Sequence, residues 1–238
     1  MRVLVTGARR GIGAALAAGL AAPGRTVLIH HLAAAPEAEA VAARCRERGA
    51  ESVVLEADLR DVDAVVDLAA RAGAVDVLVN NAARASNVDI RDLSHVEWQQ
   101  TFAVNVTAPM VLARALAAGM AERRWGRIVN IASATVRLGG PSGPSYVSSK
   151  AALIGLTRSL ARSYGRDGIT VNAISPGEVA TEGELELPPP PVSATAVQAI
   201  PGVLVPDDMA GTLRYLVSDD AAKTTGQVIE VGAGMVLR

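Results

Sequence analysis

Short runs of β-branched and other aliphatic residues recur along the chain, at positions 3–6, 26–29, 52–56, 75–80, 127–132, 170–173 and 228–231. They show little alternation of apolar with polar residues, so they read as strands buried on both faces. Stretches with helical spacing separate them. Such alternation predicts an α/β chain, with a doubly wound, seven-stranded parallel sheet flanked by helices on both faces. The longest predicted helices cover about 94–120 and 145–164, and both are rich in Ala and Leu on more than one side. A helix apolar on two sides packs one on its own sheet and the other on a second subunit, which leads us to expect a homo-oligomer.

The segment 181–206 interrupts this rhythm, with four consecutive prolines at 188–191 and no periodic core signal until about Pro206. It is too long for a plain connector. It reads either as a disordered insertion or as a flap over a substrate, and its place after the carboxyl end of a strand favours the flap. The 238 residues suit one α/β domain spanning 1–238.

Composition narrows the partners. There is one Phe, with two Trp and three Tyr, so the core has to be built from Val, Leu, Ile and Ala. A formal net charge of -1 offers no basic face for nucleic acid and points to a small-molecule partner. The lone cysteine, Cys45, excludes an intrachain disulfide and a cysteine-rich zinc site, and an inert thiol fits a reducing cytoplasm. No uninterrupted apolar run reaches the roughly 20 residues that span a bilayer, so a soluble protein with no membrane partner is expected.

The stretch VTGARRGIGAALAAGL, residues 5–20, admits two readings. A twin arginine before an apolar, alanine-rich run imitates an export leader. The β-branched run that precedes it reads instead as a buried strand, with Gly7, Gly11 and Gly13 forming a tight turn and residues 14–22 a helix. The second reading fits a leader poorly and a phosphate-binding turn well, because glycine amides and a helix N-terminus face an anion without Cβ atoms in the way.

Further motifs follow in order: EADLRD (56–61), DVLVNNAA (76–83), Asn105, VNIASA (129–134), YVSSK (146–150), SPGEVAT (175–181) and TGQVIEVGAG (225–234). With them the chain resembles, over essentially its whole length, the short-chain dehydrogenase/reductase family. That resemblance implies a single-domain Rossmann fold, a nicotinamide cofactor, and hydride transfer between it and a carbonyl or secondary alcohol. It implies further that Gly7, Arg9, Arg10, Gly11, Ile12 and Gly13 hold the cofactor's phosphates, Asp58 and Leu59 its adenine, and Asn80 and Ala82 its nucleotide. Pro176, Gly177, Val179 and Thr181 would border the nicotinamide.

An enzyme of this kind that uses NAD places an acidic residue at the end of its second strand, whereas IHHLAAAP (29–36) has none before Glu37. The expected cofactor is therefore NADP(H), with Arg10 facing the 2′-phosphate, Arg9 a weaker candidate, and His30 or His31 an added donor unless merely packed.

Tyr146 and Lys150 lie four residues apart, on one face of a helix. By resemblance Tyr146 exchanges the proton at the carbinol oxygen, Ser133 hydrogen-bonds that oxygen, Lys150 lowers the phenol's pKa and holds the ribose, and Asn105 fixes a water that relays protons. Three positions depart from the family pattern: Ala83 stands for a glycine, Gly232 for an aspartate, and the segment after Thr181 is short.

Within the family the chain looks most like the 3-oxoacyl-[acyl-carrier-protein] reductases, on ERRWGRIVNIAS, YVSSKAALIGLTRSLA and GITVNAISPG. An acyl-thioester substrate and an acyl carrier protein partner follow as expectations, with Arg123, Arg124 and Arg166 either a docking face or simply solvated. The family resemblance also suggests a tetramer or dimer. The alternatives are an NADP-dependent alcohol, sugar or polyketide ketone dehydrogenase, and a nucleotide-binding module without catalysis, which would be free to lose Ser133, Tyr146 or Lys150.

Overall fold

The computed structural model describes residues 1–180 and 197–237. Seven strands form one parallel sheet in the order β3-β2-β1-β4-β5-β6-β7. They are β1 (Arg2–Val5), β2 (Thr26–His31), β3 (Glu51–Glu56), β4 (Val77–Asn80), β5 (Gly126–Ile131), β6 (Ile169–Pro176) and β7 (Val228–Val231). The helices between them are α1 (Gly11–Leu20), α2 (Ala35–Glu47), α3 (Val62–Ala72), α4 (His95–Phe102), α5 (Ala108–Glu122), the short α6 (Thr135–Leu138), α7 (Pro144–Tyr164) and α8 (Asp208–Leu216). The doubly wound sheet expected from the pattern of runs is present, with small shifts of boundary. Strand β6 extends to Pro176 because β7 pairs with its end, Ser175 opposite Glu230 and Pro176 opposite Val231, and β2 extends to His31 because His30 and His31 pair with Leu55 and Glu56.

Alternate residues of each strand face opposite sides, and the two sides build two cores. On one, Val3, Val5 and Ile29 meet Leu16 and Leu20 of α1 and Leu213 of α8. On the other, Leu4, Leu28, Leu78 and Ile128 meet Leu68 of α3 and Leu112 and Leu116 of α5. The helix boundaries have local causes. Asp61 caps α3 by accepting from the amides of Asp63 and Ala64, and Ser94 caps α4 by accepting from the amide of Glu97 at 3.1 Å.

Helices α4 and α5 run on through a π-helical turn, Ala103–Thr107. The combined helix, His95–Glu122, contains an 18-residue stretch of mean hydropathy 1.4, long and apolar enough to cross a membrane by length and composition. Its apolar side chains Val111, Leu112, Ala113, Leu116 and Met120 are instead buried in the second core.

The order of strands reverses between β1 and β4. Connections leave the sheet there in opposite directions and open a crevice at the strands' carboxyl ends. The motifs at Gly7 and Asn81 flank that crevice.

Candidate active site

Thr6 closes β1 onto the end of β4: its hydroxyl accepts from the amides of Asn81 and Ala82, both at 3.0 Å. Asn81 returns two bonds, its Nδ2 donating to the carbonyls of Thr6 at 2.9 Å and Gly7 at 3.0 Å. The chain then turns at Gly7 with φ +62, and a Cβ there would stand 2.7 Å from Ala82 Cα. Only glycine accepts both conditions. Gly7, Arg9, Arg10, Gly11, Ile12 and Gly13 line one wall of an open groove of about 770 Å³, with His30, His31, Asp58, Leu59 and Arg60 at one end and Asn81, Ala82, Ala83 and Arg84 opposite. Its size suits a dinucleotide. The glycine turn that a Cβ would fill, beside the amino end of α1, fits an anionic cofactor.

Several expected cofactor residues take different places from those anticipated. His30 is buried; its Nδ1 accepts from the Gly7 amide at 3.0 Å and its Nε2 sits 3.1 Å from the Ala57 carbonyl, to which it donates in that tautomer. Both ring nitrogens therefore brace the glycine turn against β3, and His30 is not a donor for a 2′-phosphate. His31, also buried, accepts at Nδ1 from the Ala34 amide.

Burial is the main cause that pushes His30 down to about 4 from the ordinary 6.5. Below about pH 6.5 the unfolded chain takes up a proton that the folded chain refuses, so stability falls as pH drops through the window to about 4, by up to about 3 kcal/mol. We expect wild type to lose more stability than His30→Gln between about pH 7 and about pH 4.5 in urea unfolding. Parallel losses would contradict the role given to His30.

Asp58 is clamped by Arg60, whose guanidinium holds its carboxyl below the usual range, and Leu59 is buried against the second core. Arg9 lies 3.8 Å from Glu37. Arg10, at the amino end of α1, is exposed on the groove wall and has no ion-pair partner among the described residues. Asn80 does not line the groove: its Nδ2 donates to Asn130 Oδ1 at 2.8 Å, inside the sheet, and Asn81 takes the wall position. The difference arises because successive strand residues face opposite ways.

The catalytic candidates converge at the carboxyl end of β5. Ser133 follows that strand and sits beside Tyr146, while its Oγ accepts from the Thr135 hydroxyl at 2.9 Å. Lys150, one turn along α7 from Tyr146, is fully buried and donates to the Ile131 carbonyl at 2.6 Å, with Nζ 5.6 Å from the centre of the Tyr146 ring. Burial pushes the Tyr146 phenol up, and the neighbouring Ser133 hydroxyl acts against that rise. The lowering expected from Lys150 is not what the site shows in this state. Burial also pushes Lys150 down, to about 8.

Asn105 lies in the π-helical turn, which swings it off the regular helix face. Its Oδ1 accepts from the Arg84 amide at 2.8 Å, and its Nδ2 donates to the Arg84 carbonyl at 3.2 Å and to Ser149 Oγ at 2.9 Å. Ser149 in turn donates to the Tyr146 carbonyl. The side chain thus ties the groove wall to the helix that bears Tyr146. A second buried chain, Asn80 to Asn130 to Thr157, joins β4 and β5 to the same helix.

Pro176 ends β6, and its carbonyl accepts from the Ala134 amide beside Ser133. A Cβ at Gly177 would stand 2.9 Å from Gly232 Cα, so the two backbones meet where the family's aspartate is absent. Val179 bridges to Leu204, which anchors the returning end of the 181–206 segment. Thr181 and residues 182–196 lie outside the described residues. Asn81, Arg60, Ser149 and Arg84 were not singled out from sequence. The second asparagine of NNAA was the available signal for Asn81, and for the others only the fold supplies the neighbour.

The short chain dehydrogenase family model matches residues 1–189. A 3-oxoacyl-[acyl-carrier-protein] reductase of Synechocystis sp. is 35% identical, over 98% of this chain and 96% of its own. A probable galactose dehydrogenase of Rhizobium meliloti is 36% identical, over 98% and 94%. Among solved structures, a 3-oxoacyl (acyl-carrier-protein) reductase from Agrobacterium tumefaciens C58 with NADP bound superposes with a TM-score of 0.89 at 29% identity, covering 98% of this chain and 93% of that one. With the glycine turn, the Ser133, Tyr146 and Lys150 set and the sheet order in place, the chain belongs to the short-chain dehydrogenase family.

Proposed function

We propose that this protein is an NADP(H)-dependent oxidoreductase that reduces the ketone of a 3-oxoacyl thioester to a secondary alcohol. The observation that carries the chemistry is the cluster of Ser133, Tyr146 and fully buried Lys150 at the carboxyl end of β5, joined through Asn105 to the wall of a dinucleotide-sized groove.

The nicotinamide, when bound, supplies the hydride. Tyr146 keeps its proton at neutral pH because burial raises its pKa, so its hydroxyl is an acid able to protonate the carbonyl oxygen as charge develops there. Ser133 sits beside Tyr146 and is placed to stabilise the same developing oxyanion. The ammonium of Lys150, fixed by the Ile131 carbonyl, stabilises the phenolate left behind until solvent restores its proton. The same groups serve oxidation in reverse.

The Synechocystis and Agrobacterium relatives support the acyl-thioester substrate, and the NADP bound to the latter supports the cofactor. The Rhizobium galactose dehydrogenase favours a second reading, an alcohol or sugar dehydrogenase on the same site. The carrier-protein partner rests on less: all three arginines are exposed, but Arg123 lies 3.2 Å from Asp76 and Arg124 3.8 Å from Asp167, which leaves Arg166 as the one of the three without an ion pair among the described residues. A homo-oligomer is supported by Ile154 and Leu156 of α7, which stay half-exposed. A cytoplasmic location is supported by the free, buried Cys45.

Cofactor choice is tested at Arg10. A lost charge-assisted hydrogen bond is worth about 1.5–3 kcal/mol, so Arg10→Ala is expected to weaken NADPH binding by roughly ten- to a hundredfold and to leave NADH binding nearly unchanged, by calorimetric titration. Equal weakening of both would show that Arg10 does not select the cofactor.

A further inference from the structure

Arg84 stands two residues beyond Ala82, the residue whose Cα lies against Gly7, and it lines the groove opposite the glycine turn. Its backbone is held unusually firmly for a loop residue, because the Asn105 carboxamide accepts from its amide and donates to its carbonyl. Its side chain is half-buried, and its Nε is buried without any hydrogen-bond partner. A buried guanidinium donor without an acceptor is costly, and an oxygen brought into the groove by a ligand meets that cost. The other cations of the groove are placed differently: Arg9 faces Glu37, Arg60 is clamped on Asp58, and Arg10 is exposed at the amino end of α1.

The glycine turn supplies only backbone amides and a helix dipole to a pyrophosphate that carries two negative charges. Resting on the cofactor reading above, we infer that Arg84 is a cofactor-binding residue that donates to the pyrophosphate of the dinucleotide from the wall facing the turn. Asn105 becomes its positioning residue, so one side chain sets both Arg84 and, through Ser149, the helix of Tyr146. An arginine here supplies charge that discriminates nothing about the 2′-position, whereas Arg10 supplies charge that does.

The test is calorimetric titration of wild type, Arg84→Gln, Arg84→Lys and Arg10→Ala with NADPH, NADH and ADP-ribose, the last lacking both nicotinamide and 2′-phosphate. Arg84→Gln is expected to weaken all three by a similar factor of roughly ten to a hundred. Arg84→Lys keeps the charge without the fork and is expected to fall between. Unchanged affinities in Arg84→Gln, or weakening confined to NADPH, would overturn the inference. Unchanged ADP-ribose binding with a raised KM for the ketone would overturn it in favour of a substrate contact. Failure of wild type to bind any of the three would overturn the cofactor reading itself.

Discussion

Tyr146→Phe is expected to lower kcat by about a hundred- to ten-thousandfold, the usual weight of a positioned general acid, with fold and cofactor affinity retained. The phenyl ring fills the same space and loses only the hydroxyl beside Ser133. No element of the sheet depends on that hydroxyl: α7 is fixed from behind by Leu153, Thr157 and Ala161 and by the Ser149 and Asn105 link. Circular dichroism and NADPH titration of the variant check the retained fold and site, and steady-state turnover checks the loss. Turnover within tenfold of wild type would remove Tyr146 from the chemistry and leave the buried Lys150 without its stated task.

The second large effect is expected from Gly13→Val. A Cβ at this position would collide with the Gly7 carbonyl oxygen and stand 2.9 Å from Ala8 Cα, and the Asn81 side chain crowds it from the other side. The atoms that have to move are those of the turn itself and the asparagine that secures it. Overpacking costs about 1–3 kcal/mol even with a single added group, and valine adds three carbons against backbone. Cofactor affinity is expected to fall by roughly a hundredfold or more, together with a lower melting temperature, because the strain sits at the groove wall. Wild-type NADPH affinity in this variant would mean that the turn does not hold the cofactor's phosphates.

Much of this was legible in the order of residues, and the reasons differ from place to place. The strands could be read because a parallel sheet buries both faces, so runs such as Val3, Leu4 and Val5 stand out with no alternation. Tyr146 and Lys150 could be paired because four residues on a helix are one turn. The partners of buried polar groups could not be read, since they come from distant parts of the chain. His30 meets Gly7 and Ala57 only because β2 lies between β1 and β3, and that adjacency decides between the phosphate donor and the packed side chain that the sequence leaves open. Asn105 was found as a position, but its contact with Arg84 depends on a π-helical turn that no residue type announces. The rise of the Tyr146 pKa without cofactor is illegible for a related reason: spacing shows that an ammonium is near, while burial, which dominates here, is a property of the packed fold.

The measurement that bears most directly on the central claim is the change in nicotinamide absorbance when the purified protein meets a short 3-oxoacyl thioester, with NADPH and NADH in parallel cuvettes and Tyr146→Phe beside wild type. Rapid oxidation of NADPH, little oxidation of NADH and none by Tyr146→Phe is the expected result. Absence of NADPH oxidation although NADPH binds would contradict the acyl-thioester substrate. Equal oxidation of both cofactors would contradict the selection assigned to Arg10.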